Sequence, residues 1–175
     1  MYLFTSERLG FRNWKEADKA GFAEMNANPE VLRFFPSILT KEQSDASVEK
    51  FITSLAHNGF TFYAVDYLPE KKFIGFIGLS ICNYLPEFDE IIEIGWRLNN
   101  AYWNKGLATE GAKRCLEYAA EVLELKEIYS FTAVHNKPSE RVMQKIGMKK
   151  IGEFDHPKIE KGYWLERHVL YKIEL

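Results

Sequence analysis

Cysteine is scarce in this chain. Cys82 and Cys115 are the only two among 175 residues, too few and too far apart for a disulfide framework or a zinc motif. Free thiols in a reducing cytoplasm are the expected state. No apolar run approaches the roughly 18 residues of a membrane-crossing helix. The first residues carry Glu7, Arg8 and Arg12 where a secretory leader needs an apolar stretch, so no leader is expected. Internal repeats, low-complexity tracts and long linkers are missing too. The net charge is only −2, which argues against a dedicated nucleic-acid binder. Two phosphate-binding signatures are also absent. A P-loop needs G-x-x-x-x-G-K-S/T, and Lys105-Gly106 has that order reversed with no upstream glycine in place. A dinucleotide fold needs G-x-G-x-x-G after its first strand, and none occurs.

What is present is a globular balance. Apolar residues make up 46% and charged residues 27%, which suits one domain over 1–175 with its own core. Charge is unevenly spread. Arg97 to Lys150 holds 10 basic against 6 acidic residues, leaving that stretch at +4 and the remainder at −6. A basic half suits an anionic ligand, and an acidic half suits a cationic one.

Periodicity orders the chain. Leu3 to Arg12 reads as one strand, followed by a helix over Trp14 to Asn26 with Asn13 as its cap. Thr40 to His57 reads as a second helix, with Thr40 and Gln43 as a capping box and Gly59 at the C-cap. Thr61 to Tyr67, Phe73 to Cys82 and Glu90 to Leu98 read as strands. The second of these is almost continuously apolar, as a central strand covered on both faces should be. Gly106 to Leu123 is an amphipathic helix. Ile128 to Val134 is a strand, Pro138 to Ile146 a short helix ending at Gly147, and Met148 to Phe154 and His168 to Ile173 the last strands. This order predicts an α/β or α+β fold with one mixed sheet.

The segment from Glu93 to Glu110 carries the chemistry. It runs strand, loop, small-residue turn, helix. Asn104, Gly106 and Ala108 lie where the helix begins, and small side chains there let backbone N–H groups approach a ligand. The helix start adds partial positive charge and Lys105 a full one, so the turn suits an anion. The four histidines, His57, His135, His156 and His168, have no metal spacing, and no metal is expected. Glu87, Asp89, Glu90 and Glu93 form an acidic run that would suit a cationic amine or a solvated loop edge. Trp14, Phe34, Phe35 and Trp164 read as core or pocket wall.

This segment resembles motif A of the GNAT N-acetyltransferases, Arg/Gln-x-x-Gly-x-Gly/Ala. Gly106 and Ala108 match its last two positions, and Trp103 stands where Arg or Gln is usual. Trp103-Asn-Lys-Gly-Leu-Ala-Thr-Glu-Gly111 is similar to the W-G-K-G-Y-A-T-E-A stretch of the RimJ/RimL-like ribosomal-protein N-acetyltransferase branch. Asn104 replaces a glycine there and tolerates positive φ. Gly111 replaces an alanine. Further matches run in order: Glu7 to Arg12, Met25 to Phe35, Phe73 to Leu79, Phe131 to Asn136, Ser139, Lys145 to Met148, Asp155 to Pro157, and His168 to Tyr171.

The resemblance implies a GNAT fold, a mixed central sheet flanked by helices, with acetyl-CoA in a splayed pair of parallel strands, Glu90 to Leu98 and Ile128 to Val134. It implies that backbone groups of Trp96, Arg97 and Leu98 bond the pantetheine arm. The amides of Asn104, Lys105, Gly106, Leu107, Ala108 and Thr109 would hold the pyrophosphate, and Asn136 the pantetheine chain. Glu93 is implied as the base and Ser139 as the acid, because no tyrosine lies between Asn136 and Gly147. The implied acceptor is a protein N-terminal amine. A small-molecule amine and a non-catalytic acyl-CoA sensor are the readings kept beside it. No membrane or nucleic-acid partner is implied, and a homodimer is compatible with the resemblance.

Overall fold

The computed structural model describes residues 1–85 and 87–175. Eight strands and four helices follow one another: β1 Phe4–Thr5, β2 Leu9–Arg12, α1 Asp18–Asn26, α2 Lys41–Asn58, β3 Phe62–Tyr67, β4 Lys72–Cys82, β5 Ile91–Leu98, α3 Leu107–Glu121, β6 Glu127–Ala133, α4 Lys137–Lys145, β7 Lys149–Asp155 and β8 Arg167–Glu174. The strands form one sheet in the order β1-β2-β3-β4-β5-β6-β8-β7. All neighbours are antiparallel except β5 and β6. The mixed sheet expected from the sequence is thus present, with β4 buried near its middle. Among the described residues no helix is long and apolar enough to cross a membrane.

Two early elements differ from the sequence reading. The strand expected over Leu3 to Arg12 is a hairpin, with Phe4 opposite Phe11 and Thr5 opposite Gly10. Ser6 makes the reversal: its N–H donates to Leu9 O at 2.9 Å, and Leu9 N–H donates to Ser6 Oγ at 3.2 Å. The first helix starts at Asp18 rather than Trp14, and Asn13 does not cap it. Trp14 is held outside the helix because its indole Nε1 donates to Phe62 O at 2.7 Å. The second helix follows expectation, with the Thr40–Gln43 capping box formed and Gly59 left-handed at the C-cap. Cys82 and Cys115 are free and buried.

Strand alternation gives the sheet two faces. One packs Leu9, Ile77, Leu79, Ile94 and Leu98 against the apolar stripe of α3. The other carries two separate apolar clusters. Phe22, Met25, Val48, Ala64 and Phe76 gather beneath α1 and α2, and Cys82, Leu85, Ile91, Tyr129 and Leu170 gather over β6 and β8. Between them, the β4–β5 pairs run Phe76 with Arg97, Gly78 with Gly95, Ser80 with Glu93, and Cys82 with Ile91. The middle pairs are small or polar, and the Phe62 ring lies over Gly95, so the two clusters are parted by a groove floored by Glu93 and flanked by Phe62.

Gly111 shows how tightly α3 lies on the sheet. A Cβ there would stand 2.3 Å from Ile77 Cδ1 and 2.9 Å from Leu9 Cδ1. Alanine gains up to about 1 kcal/mol in helix propensity, but overpacking costs about 1–3 kcal/mol. Gly111→Ala is therefore expected to lower the thermal midpoint. An unchanged or raised midpoint would show that the layer relaxes freely.

Candidate active site

β5 and β6 pair at one position, Glu93 opposite Tyr129. Ser130 Oγ clamps that end by donating to Ile94 O at 2.9 Å. Beyond it no further ladder joins the two strands among the described residues, so their carboxyl ends part. Asn99 N–H donates to Ile74 O of β4, whereas Leu98 O accepts from the Trp103 indole at 2.8 Å. Alternation then turns the backbone groups of Ile94, Trp96 and Leu98 toward the split, and those of Glu93, Gly95 and Arg97 toward β4.

This refines the pantetheine-binding expectation. Trp96 faces the split without a strand partner among the described residues, so it fits the role. Leu98 faces it too, with its carbonyl already taken by Trp103. Arg97 is a correction: its backbone belongs to the ladder opposite Phe76. What it presents to the groove is its guanidinium.

The turn after β5 has the geometry of an anion site. Residues Asn100–Tyr102 form a short 3-10 turn, after which Asn104 (φ 59°) and Gly106 (φ 76°) are both left-handed. Asparagine thus keeps the geometry of the glycine it replaces. Gly106 caps α3 without a side chain, leaving the first-turn amides of Leu107, Ala108 and Thr109 without a side-chain acceptor. The buried Leu107 side chain anchors the turn, while Asn104, Lys105 and Gly106 stay exposed. These unpartnered amides fit a pyrophosphate. An L-residue in the left-handed region costs about 1–2 kcal/mol. Gly106→Ala should therefore weaken acetyl-CoA binding by roughly 5- to 30-fold in calorimetry. An unchanged affinity would remove this turn from the binding site.

One brace was invisible in the sequence. Glu110, in the first turn of α3, accepts from Ser6 Oγ at 2.7 Å, Arg8 N at 2.8 Å and Arg8 Nε at 2.7 Å. Arg8 Nη1 also donates to Lys105 O at 3.1 Å. Burial alone would raise the Glu110 carboxyl, but these donors hold it below the usual range. Its charge is therefore balanced at the helix end, where it would otherwise oppose an anion. More than a hundred residues separate the partners, and no local spacing signals the contact.

On the other arm of the split, Asn136 caps α4. Its Oδ1 accepts from Ser139 N–H at 3.3 Å, and its Nδ2 donates to Thr132 Oγ1 at 2.9 Å. One Nδ2 proton is left for a ligand. Ser139 is half-buried in the first turn, close to the carboxyl end of β6. The structure thus sets Asn136 and Ser139 on the β6 arm and Glu93 and Trp96 on the β5 arm.

Glu93 is half-buried in the groove and has no hydrogen bond or ion pair among the described residues. Burial pushes its carboxyl up to about 7, opposed weakly by Lys158. Glu87, Asp89 and Glu90 stay exposed before the strand, so only Glu93 of the acidic run enters the groove. Tyr84 lies in range of the Glu93 charge, and Lys158 Nζ sits 3.5 Å from the Tyr84 ring centroid. The His156 and His168 rings lie 4.8 Å apart at a 43° tilt, beside Phe131 and Phe154. Burial, with His168 and Lys158 close by, lowers His156 to about 4, and burial lowers His168. Both are neutral packing residues near pH 7. Among the described residues, no group of three or more His, Cys, Asp or Glu could hold a metal. Trp14 is core, whereas Phe34, Phe35 and Trp164 rim the groove side, with Phe34 and Trp164 rings 6.4 Å apart.

A parallel strand pair that parts beside a glycine-capped helix start is the arrangement that the resemblance to the GNAT acetyltransferases implies. The chain matches the model "Acetyltransferase (GNAT) domain" over residues 8–149, and it belongs to that family of acetyl-CoA-dependent N-acetyltransferases. It is 33% identical over 151 residues to the "Uncharacterized N-acetyltransferase YnaD" of Bacillus subtilis, covering 86% of this chain and 84% of that one. A GNAT-family acetyltransferase from Bacillus anthracis superposes with a TM-score of 0.81 at 29% identity, over 97% of this chain and 96% of that one. Two structures below 25% identity share the fold. A ribosomal-protein-S5-alanine acetyltransferase from Vibrio fischeri has a TM-score of 0.77 at 21% identity, covering 98% and 95% of the two chains. A spermidine N-acetyltransferase from Vibrio cholerae, in complex with CoA and spermine, has a TM-score of 0.73 at 19% identity, covering 95% of each.

Proposed function

We propose that residues 1–175 act as one acetyltransferase domain that transfers acetyl from acetyl-CoA to a primary amine by direct attack. The observation that carries this reading is Glu93: an unpartnered carboxyl, raised to about 7, on the strand that borders the split. Acetyl-CoA supplies the acyl group as a thioester. The amine must be neutral to attack. An α-amine with pKa near 8 is roughly 10% neutral at pH 7, a cost of about 1.4 kcal/mol, whereas a lysine near 10.4 costs about 4.6 kcal/mol. A carboxylate near 7 is suited to take the α-amine's proton, directly or through one water.

The other roles follow from position. Trp96 N–H faces the split, where negative charge develops on the carbonyl oxygen, and a donor there is worth about 3 kcal/mol. Ser139 Oγ has no hydrogen bond among the described residues and lies on the opposite arm, so it is the candidate donor to the leaving sulfur. Asn136 keeps one amide proton for the pantetheine chain. The RimJ/RimL-like stretch from Trp103 to Glu110 favours an N-terminal α-amine as acceptor. The reading is tested by CoA release on peptides with free and blocked N-termini, with the acetyl site located by fragmentation mass spectrometry. Acetyl on the α-amine supports it. Acetyl confined to lysine side chains would overturn the α-amine assignment.

A further inference from the structure

Arg97 stands on the groove face of β5, two alternations beyond Glu93, with Gly95 and the Phe62 ring that lies over it between them. The Cα atoms of the two charged residues are therefore about 13 Å apart along the strand, and their side chains reach across less. Arg97 Nη1 donates to Asn26 Oδ1 at 2.7 Å, its Nε is buried with no partner, and no carboxylate pairs with it among the described residues. Its guanidinium lies over the rings of Phe35 at 4.4 Å and Phe76 at 5.4 Å.

Four of the six other arginines are treated differently, while the exposed Arg141 has no ion pair among the described residues. Arg12, Arg8, Arg114 and Arg167 each meet a carboxylate. Arg33, on the same side as Arg97, also lacks one and lies over Phe34 and Trp103 at 5.0 and 5.1 Å. Lys158, at the Glu93 end, rests on Tyr84. Both Arg33 and Lys158 are exposed at the rim, so Arg97 is the half-buried cation on this face and Glu93 the carboxyl facing it. Burial without an anion lowers Arg97 to about 10, the opposite of what a pairing carboxylate would do. A desolvated cation is costly when unpaired and stabilising when a ligand brings the counter-charge.

We propose that Arg97 is a specificity residue that binds a carboxylate on the acceptor, so that the substrate is an amine carrying a carboxylate several bonds from its nitrogen. This rests on the reading that the acceptor amine meets Glu93. Phe35, 42% exposed on the α1–α2 loop, covers the guanidinium from the solvent side and forms the outer wall of the anion subsite. Polycationic amines are selected against, because their second charge would meet Arg97 instead of a carboxylate.

The test uses C-terminally amidated peptides with a free N-terminal alanine and Asp or Glu at position two or three, each beside its Asn or Gln counterpart, with spermidine. Turnover is followed by CoA release, and acceptor binding to the CoA complex by calorimetry. The carboxylate form is expected to exceed its carboxamide by about 10- to 100-fold in kcat/KM at the matching position. Arg97→Met should bring that ratio near one, mainly through KM, with acetyl-CoA affinity unchanged. Arg97→Lys should keep part of the preference, and it serves if the methionine variant does not fold. Equal use of carboxylate and carboxamide, preference for spermidine, or an undiminished ratio in the variants would overturn the assignment. If carboxylates bind through Arg97 but no amine is acetylated, this inference stands and the enzymatic reading of the site fails. If acetylation proceeds with no carboxylate preference, the reverse holds.

Discussion

Glu93→Gln is expected to lower kcat/KM for amine acetylation by about 10²- to 10⁴-fold, the usual range for losing a positioned base. Acetyl-CoA affinity should be unchanged, because Glu93 faces the groove and not the anion turn. The pH profile supplies the decisive signature. In the parent, kcat/KM should rise through pH 7 as Glu93 loses its proton, above which the substrate amine sets the remaining dependence. The glutamine variant should lack the limb near 7. A variant that keeps this limb would place the base elsewhere.

The same substitution has a stability consequence of opposite sign. The folded carboxyl, at about 7, lies above its ordinary value of 4.5, so the unfolded chain ionises first as pH rises. Between those values the unfolded state binds fewer protons, and stability falls with rising pH. Glutamine carries no such penalty. Glu93→Gln should therefore unfold at a higher temperature than the parent at pH 8, and the advantage should vanish near pH 4. Loss of activity with gain of stability is the pattern of a residue strained for function. Loss of both at pH 8 would indicate a structural role instead.

Arg12→Met is expected to cost about 3–5 kcal/mol, the effect of breaking a buried ion network from one side. That corresponds to a midpoint lower by roughly 6–20 °C for a chain of this length. Arg12 is 4% exposed, and its guanidinium donates to both oxygens of Asp66 (2.8 and 2.6 Å) and both of Asp18 (2.6 and 2.9 Å). Removing it strands two buried carboxylates. The network also fixes the start of α1 against β2 and β3, and the last residue of α1 is Asn26, the partner of Arg97. Adding Asp18→Asn and Asp66→Asn to Arg12→Met should recover part of the loss. A single variant within about 1 kcal/mol of the parent would show that water reaches the carboxylates.

What the sequence disclosed follows from the range of its signals. Local ones were legible: the capping box of α2, the stripe of α3, the apolar run of β4, and the left-handed turn at Asn104 and Gly106. The hairpin at Ser6 was not, because Leu3 to Arg12 reads as a single strand. The start of α1 was misplaced because Trp14 fits a helical stripe but is claimed by Phe62 O, 48 residues away. The order of motifs singled out the small-residue turn from Asn104 to Thr109 and put Glu93 on the strand beside the split. It could not show which strand edge each backbone group faces, so Arg97 was assigned by its amide when its side chain is what reaches the groove. The Arg8–Glu110 brace and the Arg12 network depend on contacts between distant segments and left no local pattern.

The most direct test of the account is calorimetric titration of the folded protein with acetyl-CoA, with CoA release followed on adding an amine acceptor. The account predicts one acetyl-CoA per chain, held through the turn from Asn104 to Thr109, and CoA release that depends on the amine and on Glu93. A folded protein that binds no acetyl-CoA would contradict the assignment of the split and of the anion turn together.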